Sequence, residues 1–93
     1  MKNISDENLR EIARFSFREA LEEYDFEPLR LAIEQRVAIT NFVNHPGSLN
    51  TKVVIFVPGA TDHDPDKVYG IVEINSKSGS CVSVQILNLQ KIR

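Results

Sequence analysis

Four residues able to hold a metal ion crowd one short stretch, Asp62, His63, Asp64 and Asp66. Carboxylates and imidazole are suitable ligands for divalent cations. The spacing is unlike that of an EF-hand, because the central glycine and the distal bidentate glutamate of such a loop are missing. With Pro65 inside it, the stretch reads instead as a solvated acidic turn. A second conceivable chemistry is nucleophilic, with the Cys81 thiolate activated by His45 or His63. Cys81 falls, however, in the alternating run Cys81 to Leu87, where a small core residue is expected. No glycine-rich phosphate loop and no oxyanion-hole motif accompanies these residues. The expectation is a protein that is not an enzyme and uses no metal or cofactor.

The elements that must position these side chains begin with a helix over Ser5 to Tyr24. Ser5 can cap it, Asp6 and Glu7 suit the positive end of its dipole, and no Gly or Pro interrupts it. Leu9, Ile12, Ala13, Phe17, Ala20, Leu21 and Tyr24 fall in one stripe at helical spacing, which a sheet would cover. Phe15 projects opposite that stripe, so it is either buried by a sheet that wraps the helix or left showing. Glu11, Glu19, Glu22 and Glu23 interleave with Arg10, Arg14 and Arg18 as a solvated face.

Leu29 to Val43 admits two readings. Leu29, Leu31, Ile33, Val37 and Ile39 alternate with more polar residues as in a half-buried strand, and strand is preferred, with a bend or break near Gln35 to Ile39. A helix beginning at Pro28 is the rival, since Leu, Ala, Glu, Gln and Arg are good helix formers. Farther on, Asn44 to Ser48 reads as a turn, Lys52 to Val57 as a strand, and Pro58 to Asp66 as a loop. Val68 to Ile74 and Cys81 to Leu87 form a hairpin about the polar connection Asn75 to Ser80. Lys52 to Val57 is expected to be a central strand; at an edge it would invite a homodimer or strand exchange.

Ninety-three residues make a single domain, 1–93, with little apolar surface to spare for an enclosed active site. Hydrophobic residues at 42% and charged residues at 26% are those of a folded globular chain. A net charge of −2 offers no broad positive field, so nucleic acid is not expected as a partner. The single cysteine rules out an intrachain disulfide, and no apolar run reaches the ~18 residues of a membrane span. With an N-terminus that turns acidic where a signal peptide would run apolar, these features predict a cytoplasmic protein without membrane attachment.

Two stretches resemble the cystatins, inhibitors of papain-like cysteine proteases, and the plant cystatins in particular. Ile12-Ala13-Arg14-Phe15-Ser16-Phe17-Arg18-Glu19 is similar to the helix pattern Leu-Ala-Arg-Phe-Ala-Val-x-Glu. Glu34-Gln35-Arg36-Val37-Ala38-Ile39-Thr40-Asn41-Phe42 resembles Glu-Gln-Val-Val-Ala-Gly-Thr-x-Tyr, which carries the family's first inhibitory hairpin. The resemblance covers about residues 9 to 43. Ile39 stands where the family has the hairpin glycine, and the chain has no Trp for the second hairpin.

The resemblance implies an α+β fold with one N-terminal helix wrapped by a curved antiparallel sheet of four to five strands. A helical Leu29 to Val43 would give two helices on a three-strand meander instead. It also implies a protein-binding module that reversibly occludes the cleft of a papain-like protease. Gln35, Arg36, Val37, Ala38 and Ile39 would form the first binding loop, and Pro58 and Gly59 the second. The alternative is a small intracellular interaction or adaptor domain with no protease partner.

Overall fold

The computed structural model describes residues 4–27, 29, 39–44, 49–59, 61 and 63–92, with 39–44 as backbone. Helix α1 runs Asp6–Ala20 and tightens into a 3₁₀ turn, Leu21–Glu23. Ser5 caps it from an extended backbone, its Oγ accepting a hydrogen bond from the Asn8 N–H at 3.3 Å. Removing that acceptor leaves a helix-end donor without its protein partner. Ser5→Ala is therefore expected to cost about 0.5–2 kcal/mol in chemical denaturation, and Ser5→Asp to restore most of it.

Strand β1 spans Ile39–Asn44, β2 Asn50–Val57, β3 Lys67–Asn75 and β4 Cys81–Ile86. β2, β3 and β4 form an antiparallel meander, and β1 pairs with the other side of β2, giving the order β1-β2-β3-β4. The class is α+β. β2 is hydrogen-bonded on both sides, so Lys52 to Val57 is an interior strand as its β-branched run predicts. The β3–β4 hairpin closes where expected. The Asn75 side-chain oxygen accepts from the N–H groups of Lys77 and Ser78, and Gly79 takes φ +78°, which glycine enters without steric cost.

α1 lies across β2, β3 and β4 on one face of the sheet. Its apolar stripe is the face that packs, with Leu9, Ala13, Phe17 and Leu21 buried and Ile12, Ala20 and Tyr24 half-buried. β2 supplies alternate residues Thr51, Val53, Ile55 and Val57 to that interior, as period-two geometry requires. Val72 and Ile74 of β3 are wholly enclosed. Thr51 is the one polar core residue among those described, and its hydroxyl is satisfied at 2.6 Å by that of Ser76.

Gly70 decides how closely helix and sheet approach. A Cβ there would stand 2.5 Å from Cδ1 of Phe17 and closer still to Cε1, so the ring occupies the space a side chain would need. Gly70→Val should destabilise by about 1–3 kcal/mol through overpacking. Trimming the ring in a Phe17→Leu background should make the two effects less than additive, a coupling that a double-mutant cycle reads directly.

Three expectations need correction. Glu27 and Leu29 are helical, so the strand expected from Leu29 does not begin there. A proline is favourable in a first helical turn and the residues around it are good helix formers, and these local preferences outweigh the alternation at that end. Phe15 is 64% exposed rather than buried by the wrapping sheet that the resemblance implies, and β2, β3 and β4 meet the opposite side of α1. Cys81 is exposed rather than part of the core. It has the parity of exposed Ser83 and Gln85, opposite to half-buried Val84 and Ile86, and Val82 beside it is the extra residue of a bulge between the Glu73–Ser83 and Ile74–Cys81 pairs. Among the described residues no helix is long and apolar enough to cross a membrane.

Candidate functional site

The expected binding residues lie at one end of the sheet. Antiparallel pairing sets Ile39, the first residue of β1, opposite Phe56, and one residue after Phe56 β2 ends and the chain enters the loop through Pro58 and Gly59. Ile39, Pro58 and Gly59 are thereby brought to the same end of the molecule. Gln35, Arg36, Val37 and Ala38 lie outside the described residues.

The loop after β2 is braced by its own polar groups. Gly59 N–H donates to Asp66 Oδ1 at 3.1 Å, and the Thr61 hydroxyl donates to Asp64 Oδ2 at 3.1 Å. The backbone of Asp64 approaches Gly59 so closely that an added Cβ would stand 2.8 Å from its carbonyl carbon. Gly59 is thus required by a backbone contact that a side chain would break. Asp64 and Asp66 act here as acceptors that shape the turn, and His63 is exposed beside them, its N–H directed to the Thr61 hydroxyl oxygen. Asp62 and His45 lie outside the described residues. Among the described residues no three His, Cys, Asp or Glu side chains gather as a metal site would require. The Cys81 thiol donates to the Ser83 carbonyl at 3.8 Å, on the far strand from the loop that holds His63.

A second surface was not foreseen. An open groove of about 430 Å³ runs between the C-terminal end of α1 and β4, lined by Glu19, Ala20, Glu22, Glu23, Tyr24, Val84 and Ile86. Its floor is apolar, from half-buried Val84 and Ile86, and its helical wall carries three exposed carboxylates. The C-terminal segment is tied to the chain that leaves the helix, at two of the residues that line the groove, Glu23 and Tyr24. Tyr24 bridges Lys91, Asp25 N–H donates to the Gln90 carbonyl at 2.8 Å, and Ile92 N–H donates to the Glu23 carbonyl at 2.9 Å. Lys91 Nζ stands 3.6 Å from Glu23 Oε2.

Among the described strands β4 is the last of the sheet, and its outer side borders that groove. Leu87 N–H donates to the Tyr69 carbonyl at 2.9 Å, and the same register continues through Ile86 with Gly70, Gln85 with Ile71, Val84 with Val72 and Ser83 with Glu73. Hydrogen-bonded and non-hydrogen-bonded pairs alternate along an antiparallel ladder. Gln85 and Ser83 therefore bond β3, while the N–H and C=O groups of Val84 and Ile86 point away from it. β4 reads Cys-Val-Ser-Val-Gln-Ile, without a charge or a proline to blunt the edge, and the bulge at Val82 lies at its start, before Val84 and Ile86. Two signals for this surface were present in the sequence. Cys81 to Leu87 is the last strand of a meander, and Glu19, Glu22 and Glu23 cluster at the end of the helix; nothing in their spacing shows that the two become neighbours. No family model, no curated protein and no solved structure matches this chain.

Proposed function

We propose that this domain is a non-catalytic protein-binding module that takes an extended segment of its partner along the outer side of β4, which no other described strand pairs with. The observation that carries the reading is the pair of outward-facing backbone positions, Val84 and Ile86, beside an open groove with an apolar floor. Strand addition uses such an edge for main-chain hydrogen bonds and an adjacent groove for alternate side chains. It belongs to the interaction-domain class, and the 64% exposure of Phe15 and the helical backbone at Leu29 favour that class over a helix fully wrapped in the cystatin manner.

The test is amide hydrogen exchange on a purified complex with an identified partner from native extract. Protection is expected to concentrate on Val84 and Ile86. A partner whose binding leaves both amides exchanging as in the free chain would overturn the reading.

A second reading is supported by the register that brings Ile39 beside Pro58 and Gly59. Two loops at one end of a sheet are what the cystatin resemblance implies for a reversible inhibitor of a papain-like protease, with Gln35 to Ile39 as the first loop. On that reading a panel of such proteases is inhibited at micromolar or lower concentration, and altering Val37 or Pro58 weakens the effect. No inhibition across the panel would remove it without touching the edge-strand proposal.

A further inference from the structure

We infer that the segment received by β4 is basic, with Lys or Arg at alternate positions, so that its main chain pairs with Val84 and Ile86 while its cationic side chains reach Glu19 and Glu22. The inference rests on the strand-addition reading above and adds the chemistry of the partner.

Three observations lead to it. First, a strand paired with β4 would turn alternate side chains toward the face on which α1 lies, because paired residues share a face. That face of the new strand borders the groove, whose helical wall is Glu19, Glu22 and Glu23. Alternate side chains on a strand are roughly 6.5–7 Å apart. Glu19 and Glu22, three residues apart at a helix end, are separated by about 5–6 Å, so two cations on one strand can each meet a carboxylate. Second, the chain already pairs a cation with one of these three glutamates, Lys91 standing 3.6 Å from Glu23. That segment reaches the helix end by a strand-like bridge at Tyr24, the kind of backbone approach proposed here for the partner. Among the described residues Glu19 and Glu22 have no comparable cation. Third, charge argues against the simplest competitor, a second copy of this chain. Antiparallel pairing of β4 with itself is two-fold symmetric about an axis normal to the sheet, which puts both helices on the same face of the joined sheet. Each copy's Glu19, Glu22 and Glu23 would then approach those of the other across the joint, and like charges brought together oppose association.

The test uses the full chain and three blocked octapeptides, one alternating Lys and Val, one alternating Glu and Val, and one Lys/Val peptide N-methylated at the residues that would pair. Binding is read by fluorescence anisotropy, and its location by amide exchange at Val84 and Ile86. The expected result is saturable one-to-one binding of the Lys/Val peptide with protection of both amides. The N-methylated peptide should bind far more weakly, and Glu19→Gln/Glu22→Gln should weaken the Lys/Val peptide by roughly two- to thirtyfold, the range for two exposed ion pairs. Equal binding and equal protection by the Glu/Val peptide would overturn the basic-partner inference while leaving strand addition standing. Binding that survives N-methylation, or that never protects Val84 and Ile86, would overturn both. A concentration-dependent dimer that protects these amides in the absence of peptide would overturn the inference in favour of self-association.

Discussion

Phe17→Ala is expected to remove about 3–5 kcal/mol of folding stability, whereas Phe15→Ala, two residues away, should stay within about 0.5 kcal/mol. The two rings differ only in the side of α1 they occupy. Phe17 is 5% exposed and lies against Gly70, where the missing side chain leaves a recess for the ring, while Phe15 is 64% exposed. Truncating Phe17 forfeits its transfer energy and leaves a cavity that the interior strands β2 and β3 are poorly able to close. A domain of this length is held by about 5–14 kcal/mol in all, so the loss is a large share of its stability. Thermal unfolding should shift downward by roughly 12 °C or more, at about 4–8 °C per kcal/mol. A small shift for Phe17→Ala, or a large one for Phe15→Ala, would mean that the helix presents a different face to the sheet.

Leu29→Ala is expected to cost about 2–5 kcal/mol in urea unfolding, close to the loss at Phe17, although Leu29 lies well outside α1. Leu29 is 1% exposed and belongs to the same cluster as Leu9, Phe17, Val53 and Ile55. It therefore fastens the chain that leaves the 3₁₀ turn onto the helix–sheet interior. Leu29→Met, which keeps volume and apolar character, should cost less than about 1.5 kcal/mol. If both substitutions were neutral, the side chain would have to lie outside the core.

Residues whose role depends on one element were readable in the sequence, and residues whose role depends on a meeting of elements were not. The stripe from Leu9 to Tyr24 follows from helical periodicity, and the interior position of Lys52 to Val57 follows from its β-branched run. Phe15 shows where such reasoning stops. Its side of the helix was plain from spacing, but whether anything covers that side depends on how far a sheet extends. Leu29 shows a conflict between two local signals, strand alternation and helix-forming composition after Pro28, in which the helical one prevails at the residue observed. Cys81 shows that residue type can mislead where parity does not: counted back from half-buried Ile86 and Val84, it falls with exposed Ser83 and Gln85, whatever a small thiol prefers. Of the binding residues, Ile39, Pro58 and Gly59 do come to one end of the sheet through the β1–β2 register. The β4 groove could not be found that way, since Glu19 and Ile86 become neighbours only through the whole path of the meander.

The bridge between Tyr24 and Lys91 bears on the order in which the molecule assembles. It joins the end of the first helix to a segment beyond the last strand, and closing so long a loop carries a greater entropic cost than forming the neighbouring hairpins. During synthesis, β2 and β3 can meet before β4 has emerged, whereas the last strand of the meander and the clasp at residues 90–92 follow them in chain order. The clasp then forms after the β2–β3 pairing and, held by a few backbone hydrogen bonds, is a place where the fold opens locally. A partner strand that arrives at this edge would latch a late-forming border of the fold, so that recognition and completion of folding become a single event.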